Sequence, residues 1–206
     1  MTPAAVVFDI GNVLIEWQPE RYFDSRIGPE RRAAMFAAVD LHGMNDRVDA
    51  GADFTETVLG TAAAHPDWRA EIEIWHDNWI EMASPQIDRS VRLMAALQAK
   101  RIPVFSLTNF GRRTYEIAAE VYPFLSAFDR DFISGHLGVI KPDPAIYAAL
   151  ETETGLREGA LLFTDDRVEN IEAARRRGWQ THLFDGPAGW AARLVAEGLL
   201  TPAEAA

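Results

Sequence analysis

Hydrophobic positions along this chain follow two rhythms. Four short, mostly apolar runs, AAVVF (4–8), IPVFSL (102–107), ALLF (160–163) and QTHLF (180–184), have the length and the β-branched or aromatic character of strands. Apolar runs without strict alternation predict strands covered on both faces, as in a parallel sheet. Between the last three runs lie segments of helical spacing, such as DPAIYAALETETG (143–155) and RVENIEAARRRG (167–178), each closed by a glycine suited to a helix C-terminus. Alternating strand and helix predicts right-handed crossovers and a mostly parallel sheet flanked by helices. A fifth strand is expected near FDRDFIS (128–134).

From about Glu16 to Pro85 the pattern changes, with no run comparable to these strands. In DWRAEIEIWHDNWIEMA the residues Trp68, Ile72, Trp75, Trp79 and Met82 recur at alternating spacings of four and three, one stripe of an amphipathic helix. The pattern predicts a helical module at 16–85, inserted into a sheet domain made of 1–15 and 86–206. No internal repeat or low-complexity tract interrupts it.

Composition narrows the chemistry. Apolar residues make up 48% and charged residues 25%, an ordinary globular balance. The chain has no cysteine, which excludes disulfides, thiolate metal sites and a cysteine nucleophile. A net charge of −11 argues against nucleic acid or anionic lipid as a partner, since both require a basic face. No apolar stretch reaches the ~20 residues of a membrane span, and no signal-peptide pattern opens the chain, so the expected location is cytoplasmic. Oligomeric state is not encoded in any pattern here. No G-x-S-x-G elbow, Walker-type loop or G-x-G-x-x-G is present, which speaks against a serine hydrolase, a P-loop nucleotidase and a dinucleotide-binding dehydrogenase.

The remaining chemistry sits at the predicted strand ends, where ligands bind in parallel sheets. The first run stops on Asp9, the second leads to Thr108 and Asn109, and the third to Asp165 and Asp166. A buried carboxylate needs a compensating partner. A cluster of carboxylates in one crevice repels itself unless a divalent cation holds it, and hard oxygen ligands suit Mg²⁺. Lys141, in GVIKPDP, stands before a proline that favours a helix start and can neutralise a phosphoryl group. Plainer roles exist for each residue. Asp9 and Asp166 could cap turns or helices, Asn109 could be an N-cap, and Lys141 could be a solvated loop charge.

Taken together, Asp9 with its following turn, SLTN at 106–109, Lys141 in KPDP, and TDD with Asn170 five positions after Asp165 resemble the four ordered motifs of the haloacid dehalogenase superfamily. The resemblance implies a Rossmann-like core with a helical cap and a Mg²⁺-dependent phosphatase acting on a small phosphorylated metabolite. It implies Asp9 as the nucleophile that forms an aspartyl-phosphate. Thr108, the Asn109 amide and Lys141 would bind the phosphoryl group. Asp9, the Gly11 carbonyl, Asp165 and Asp166 would hold the metal, with Asn170 completing or orienting its shell. Trp17, at the entry to the cap, would line the cleft.

One position departs from the superfamily's pattern. Most of its phosphatases carry a second aspartate two residues after the nucleophile as general acid and base, and here that position is Gly11. The five histidines show no metal-ligand spacing and none is tied to a motif; His76 is the least implausible substitute donor among them. The D-x-G-N-V version resembles a subgroup that includes sugar-phosphate phosphatases. A 2-haloacid dehalogenase, which needs no metal, and a catalytically idle phospholigand- or partner-binding member are the two alternatives. The acidic pair Asp165 and Asp166 favours the phosphatase over the dehalogenase.

Overall fold

The computed structural model describes residues 2–206. Five parallel strands form its main sheet: β1 (Ala5–Phe8), β4 (Val104–Thr108), β5 (Arg130–Ile133), β6 (Leu161–Asp165) and β7 (Gln180–Leu183). Two further short strands, β2 (Ile15–Trp17) and β3 (Ala83–Gln86), pair antiparallel in a separate ribbon. Strand order in the main sheet is β5-β4-β1-β6-β7. The chain winds from β1 to one side, then crosses β1 to build the other, so β1 is the switch point where such sheets bind ligands.

Register then fixes the edge. Phe8 lies level with Ser106 on β4 and Thr164 on β6, and the Asp9 N–H donates to the Thr164 carbonyl at 3.0 Å. The carboxyl ends of β1, β4 and β6 therefore open at one height.

Both sheet faces are covered, as continuous apolar runs require. On one side Val6 and Phe8 join a core with Leu97 of α7 (Asp88–Ala99) and with Trp190 and Leu194 of α12 (Pro187–Ala196), and Phe8 meets Trp190 edge-on at 5.5 Å. On the other, Ala5 and Val7 join Tyr147 and Leu150 of α10 (Pro144–Thr154) and Ile171 and Ala174 of α11 (Val168–Arg176). The remaining sheet-domain helices are α8 (Arg112–Val121) and the single turn α9 (Ser134–Leu137).

Between β2 and β3 run six helices: α1 (Pro19–Ile27), α2 (Pro29–Ala38), α3 (Leu41–Asp49), α4 (Phe54–Ala64), α5 (Arg69–Asp77) and α6 (Trp79–Met82). Three features differ from the sequence pattern. The segment's two ends are strands, three and four residues long and too short to show a period of two. Trp68 lies in a 3₁₀ turn, and the stripe's single helix is two, broken at Asn78, whose φ of −124° leaves the helical region. Ile72, Trp75, Trp79 and Met82 are nonetheless all buried, because the break keeps them on one side. They pack with Phe23, which stacks on Trp75 at 6.0 Å, and with Trp17, 5.6 Å from Trp79.

Candidate active site

Asp9 follows β1, is 7% exposed, and is fixed by the Ile10 N–H at 2.7 Å. Its electrostatic partner is Lys141, whose Nζ lies 2.9 Å from Asp9 Oδ1 and 2.6 Å from Asp165 Oδ2. A lysine fully withdrawn from water would ordinarily lose its proton. Burial pulls its pKa down, but Asp165 and Asp9 outweigh burial and hold it above the usual lysine value. The ammonium stays charged.

Asp165, at the end of β6, is fully buried and accepts from Lys141, from the Arg167 N–H at 2.8 Å, and from Asn170 Nδ2, 3.0 Å from each oxygen. Asn170 is presented by α11 one turn into the helix, so the spacing of five from Asp165 is that of a strand end and the first turn of the next helix. Asp166 is half-buried and held at 3.0 Å by Asn12 Nδ2. Asn12 has a left-handed φ of 54°, and its Oδ1 accepts from the Trp17 N–H at 3.0 Å. One amide thereby ties the loop after β1, the start of the ribbon and the acidic pair together.

Asp9, Asp165 and Asp166 can each offer an oxygen within 4.8 Å of the other two. Three carboxylates against one ammonium leave two negative charges uncompensated, the charge a divalent cation would cancel. The imbalance is visible at Asp9, where burial, then the Asp165 and Asp166 charges, push the carboxyl up to about 7 against the pull of Lys141. The donor set is all hard oxygen, as Mg²⁺ requires.

On the β4 side Thr108 is 1% exposed, and its Oγ1 has no hydrogen-bond partner. Buried hydroxyls are normally paired, and this orphan sits at the carboxyl end of β4, the edge where parallel sheets bind ligands. Asn109 contributes differently from a simple N-cap. Its Oδ1 accepts from the Lys141 N–H at 2.7 Å and its Nδ2 donates to the Lys141 carbonyl at 3.0 Å, clamping the backbone that carries the lysine.

These groups open onto a cleft of about 450 Å³. Its far wall comes from the segment that runs from β2 to β3 and includes Trp17, Trp79 and Asp49. Of the sequence-derived candidates, Asp9, Gly11, Trp17, Asn109, Lys141 and Asp166 line this cleft directly, while Asp165 and Thr108 stand behind them. His76 does not line it: it bonds Thr55 and Asp77 and stacks on Phe54. Its ring faces α4, which a helical stripe read from sequence cannot reveal.

Residues 3–178 match the family model for haloacid dehalogenase-like hydrolases. The chain belongs to that family. Among curated relatives of this hydrolase, a sesquiterpene phosphatase from Aspergillus oryzae is 24% identical over 182 residues, covering 88% of this chain and 90% of the relative. A drimenol cyclase from Aspergillus calidoustus is 28% identical over 81 residues, and that match spans 15% of the cyclase's length. A haloacid dehalogenase family enzyme from Bacteroides thetaiotaomicron superposes with a TM-score of 0.66 at 18% identity, covering 94% of this chain and 99% of that one. A mutant of the same enzyme was solved with magnesium and inorganic phosphate, with a TM-score of 0.64, 18% identity, and 89% and 95% of the two chains covered. The L-2-haloacid dehalogenase from Xanthobacter autotrophicus superposes at 0.62 with 19% identity, covering 98% and 86%. At such identities the likeness is one of fold.

The hydrolase also places in the cleft a residue that the sequence left unmarked. Asp49 ends α3 in a stretch, DRVDAG, that reads as a solvated helix end, yet it is buried. No local signal marks it, because its burial comes from the loop after β4, more than fifty residues away.

Proposed function

We propose that this hydrolase is a Mg²⁺-dependent phosphatase acting on a small phosphorylated substrate through an aspartyl-phosphate on Asp9. The observation that carries the reading is the arrangement of Asp9, Lys141 and the acidic pair at one sheet edge, with the unpaired Thr108 hydroxyl beside them. Phosphoryl transfer needs mainly positioning and charge stabilisation, and this edge offers both. The phosphatase relative and the magnesium- and phosphate-bound neighbour point the same way.

In this reading an Asp9 carboxylate oxygen attacks phosphorus. The P–O bond to the leaving group breaks in line, and water later hydrolyses the acyl phosphate to restore Asp9. Lys141 offsets the charge of nucleophile and phosphoryl oxygens, while the Thr108 hydroxyl and the Asn109 backbone N–H donate to those oxygens. Asp9, Asp165, Asp166 and the Gly11 carbonyl would hold the cation, which supplies charge neutralisation. Residues 16–85 serve as a cap over the 1–15 and 86–206 core, with Trp17 against the substrate, excluding water during transfer.

Phosphate release from a panel of sugar, prenyl and aryl phosphates, with Mg²⁺ and with a chelator, tests the reading. Release that depends on Mg²⁺ is expected. Halide release from 2-haloacids without metal would favour the dehalogenase, and tight binding of phosphorylated compounds with no turnover would favour the idle member.

A further inference from the structure

A phosphatase whose leaving group is an alkoxide needs a proton at the departing oxygen, and the loop after β1 supplies none. Apart from its two chain neighbours, no described residue comes within 4 Å of where a Gly11 side chain would begin, so no other side chain fills that space. In-line displacement sends the leaving oxygen away from Asp9, toward the cap wall of the cleft. Of the ionisable groups on that wall, Glu20 pairs with His42 at 3.1 Å, Glu16 pairs with Arg21 at 2.7 Å, and Asp46 is exposed. Asp49 alone among them is buried, and no ion pair among the described residues engages it.

On the phosphatase reading above, we infer that Asp49 is the general acid and base of this enzyme, a cap carboxyl doing the work that Gly11 cannot. Its position is tightly set. Asn45 Nδ2 donates to Asp49 Oδ2 at 2.9 Å, and the Gly111 N–H donates to the same carboxyl group. Ser134 Oγ donates to the Asp49 carbonyl at 2.6 Å and accepts from the Phe110 N–H at 2.8 Å. A β-carbon at Gly111 would come within 2.5 Å of Val48 Cγ1, so only glycine lets α3 seat this closely. Asp49 is thus locked to the loop that follows Thr108 and carries Asn109, in register with the phosphoryl site although it belongs to the cap.

Its proton is available at neutral pH. Burial, helped by Asp46 on the same helix, pushes the carboxyl up to about 7. The Gly111 N–H and Lys141 pull it down, and Asp9 pushes it up from the sheet edge. In the first half-reaction the P–O(ester) bond breaks, its electron pair goes to the ester oxygen, and that oxygen takes the Asp49 proton to leave as an alcohol. In the second, the Asp49 carboxylate takes a proton from water as the water oxygen bonds phosphorus and the P–O bond to Asp9 breaks. Products are inorganic phosphate, free Asp9 and protonated Asp49.

The test is kcat/KM for the metal-loaded enzyme over phosphate monoesters of graded leaving-group pKa, for the parent, Asp49→Asn and Asp49→Asn with Gly11→Asp. A shallow parent series is expected, with loss in Asp49→Asn of ~10²-fold or more on alkyl phosphates and under about tenfold on the most acidic aryl phosphates. The alkaline fall of the parent's pH profile on alkyl esters should vanish in Asp49→Asn, and Gly11→Asp should recover part of the alkyl activity. Equal loss across the series, as a merely structural residue would give, overturns the inference. So does a steep parent series, which needs no variant to fold. A parent that releases phosphate from no ester overturns the phosphatase reading itself, whereas an active parent indifferent to Asp49→Asn overturns only the role of Asp49.

Discussion

A buried hydroxyl without a partner destabilises a fold, and Thr108 keeps one at the sheet edge. Leaving such a group unpaired costs about 1–3 kcal/mol, so Thr108→Val should raise thermal stability slightly. The same change should weaken binding of inorganic phosphate, since in the proposed phosphatase the ligand supplies the hydroxyl's partner. Melting curves with and without phosphate separate the effects, and a variant that is less stable yet binds phosphate unchanged would refute the assignment. Asp9→Asn keeps the shape of the side chain and removes its nucleophilic charge. Turnover should fall by roughly 10³-fold or more while the melting temperature of the metal-free protein stays within a few degrees of the parent. Phosphate release within tenfold of the parent would take the nucleophile's role from Asp9. At this scale the sequence was informative about which residues gather at the sheet edge and less so about how they are held there. Asn109, for example, clamps the Lys141 backbone with both ends of its amide, a role that depends on the end of β4 and the loop after α9 lying side by side.

Among the elements, the contact between α10 and the segment after α11 shows how charge holds two helices on one sheet face. Glu151 of α10 accepts from Arg177 Nε at 2.9 Å and Nη2 at 2.6 Å and from Trp179 Nε1 at 2.8 Å. The Arg177 hydrogen bonds, reinforced by Trp179, hold the Glu151 pKa below its usual 4.5. A carboxylate whose folded pKa is depressed stabilises fully above the unfolded value, and the contribution disappears as pH falls through the folded one. Glu151→Gln should therefore cost about 1–2 kcal/mol at pH 7, and the gap to the parent should close progressively below pH 4.5. Chemical denaturation across pH 3–7 checks this, and a gap independent of pH would assign the loss to packing instead. The strands and the core helices were legible because each carries its period in consecutive residues. The ribbon of β2 and β3 was not, since two short segments 65 or more residues apart become strands only by pairing with each other.

For the molecule as a whole, a cation held by the carboxylate trio would make stability depend on a ligand. A cation that binds only the folded state stabilises by about 2.7 kcal/mol at a hundred times its Kd. For a chain of this size that corresponds to a rise of roughly 5–10 °C in melting temperature with saturating Mg²⁺. Asp165→Asn should lose most of the rise, and equal shifts in both proteins would remove Asp165 from the metal's ligands. No helix among the described residues is long and apolar enough to cross a membrane. The sequence by itself determined the parallel sheet, the helical insertion and the three strand ends that carry Asp9, Thr108 and the Asp165–Asp166 pair, because these follow from local periodicity and from motifs in fixed order along the chain. Only the tertiary structure decided which groups face one another across the cleft. Lys141 bridges two carboxylates, His76 turns away toward α4, and Asp49 is brought from the cap onto the loop after β4. Those relations depend on how α3 docks against Gly111 and Ser134, and the docking is set by packing between residues remote in sequence, which no single stretch of sequence records.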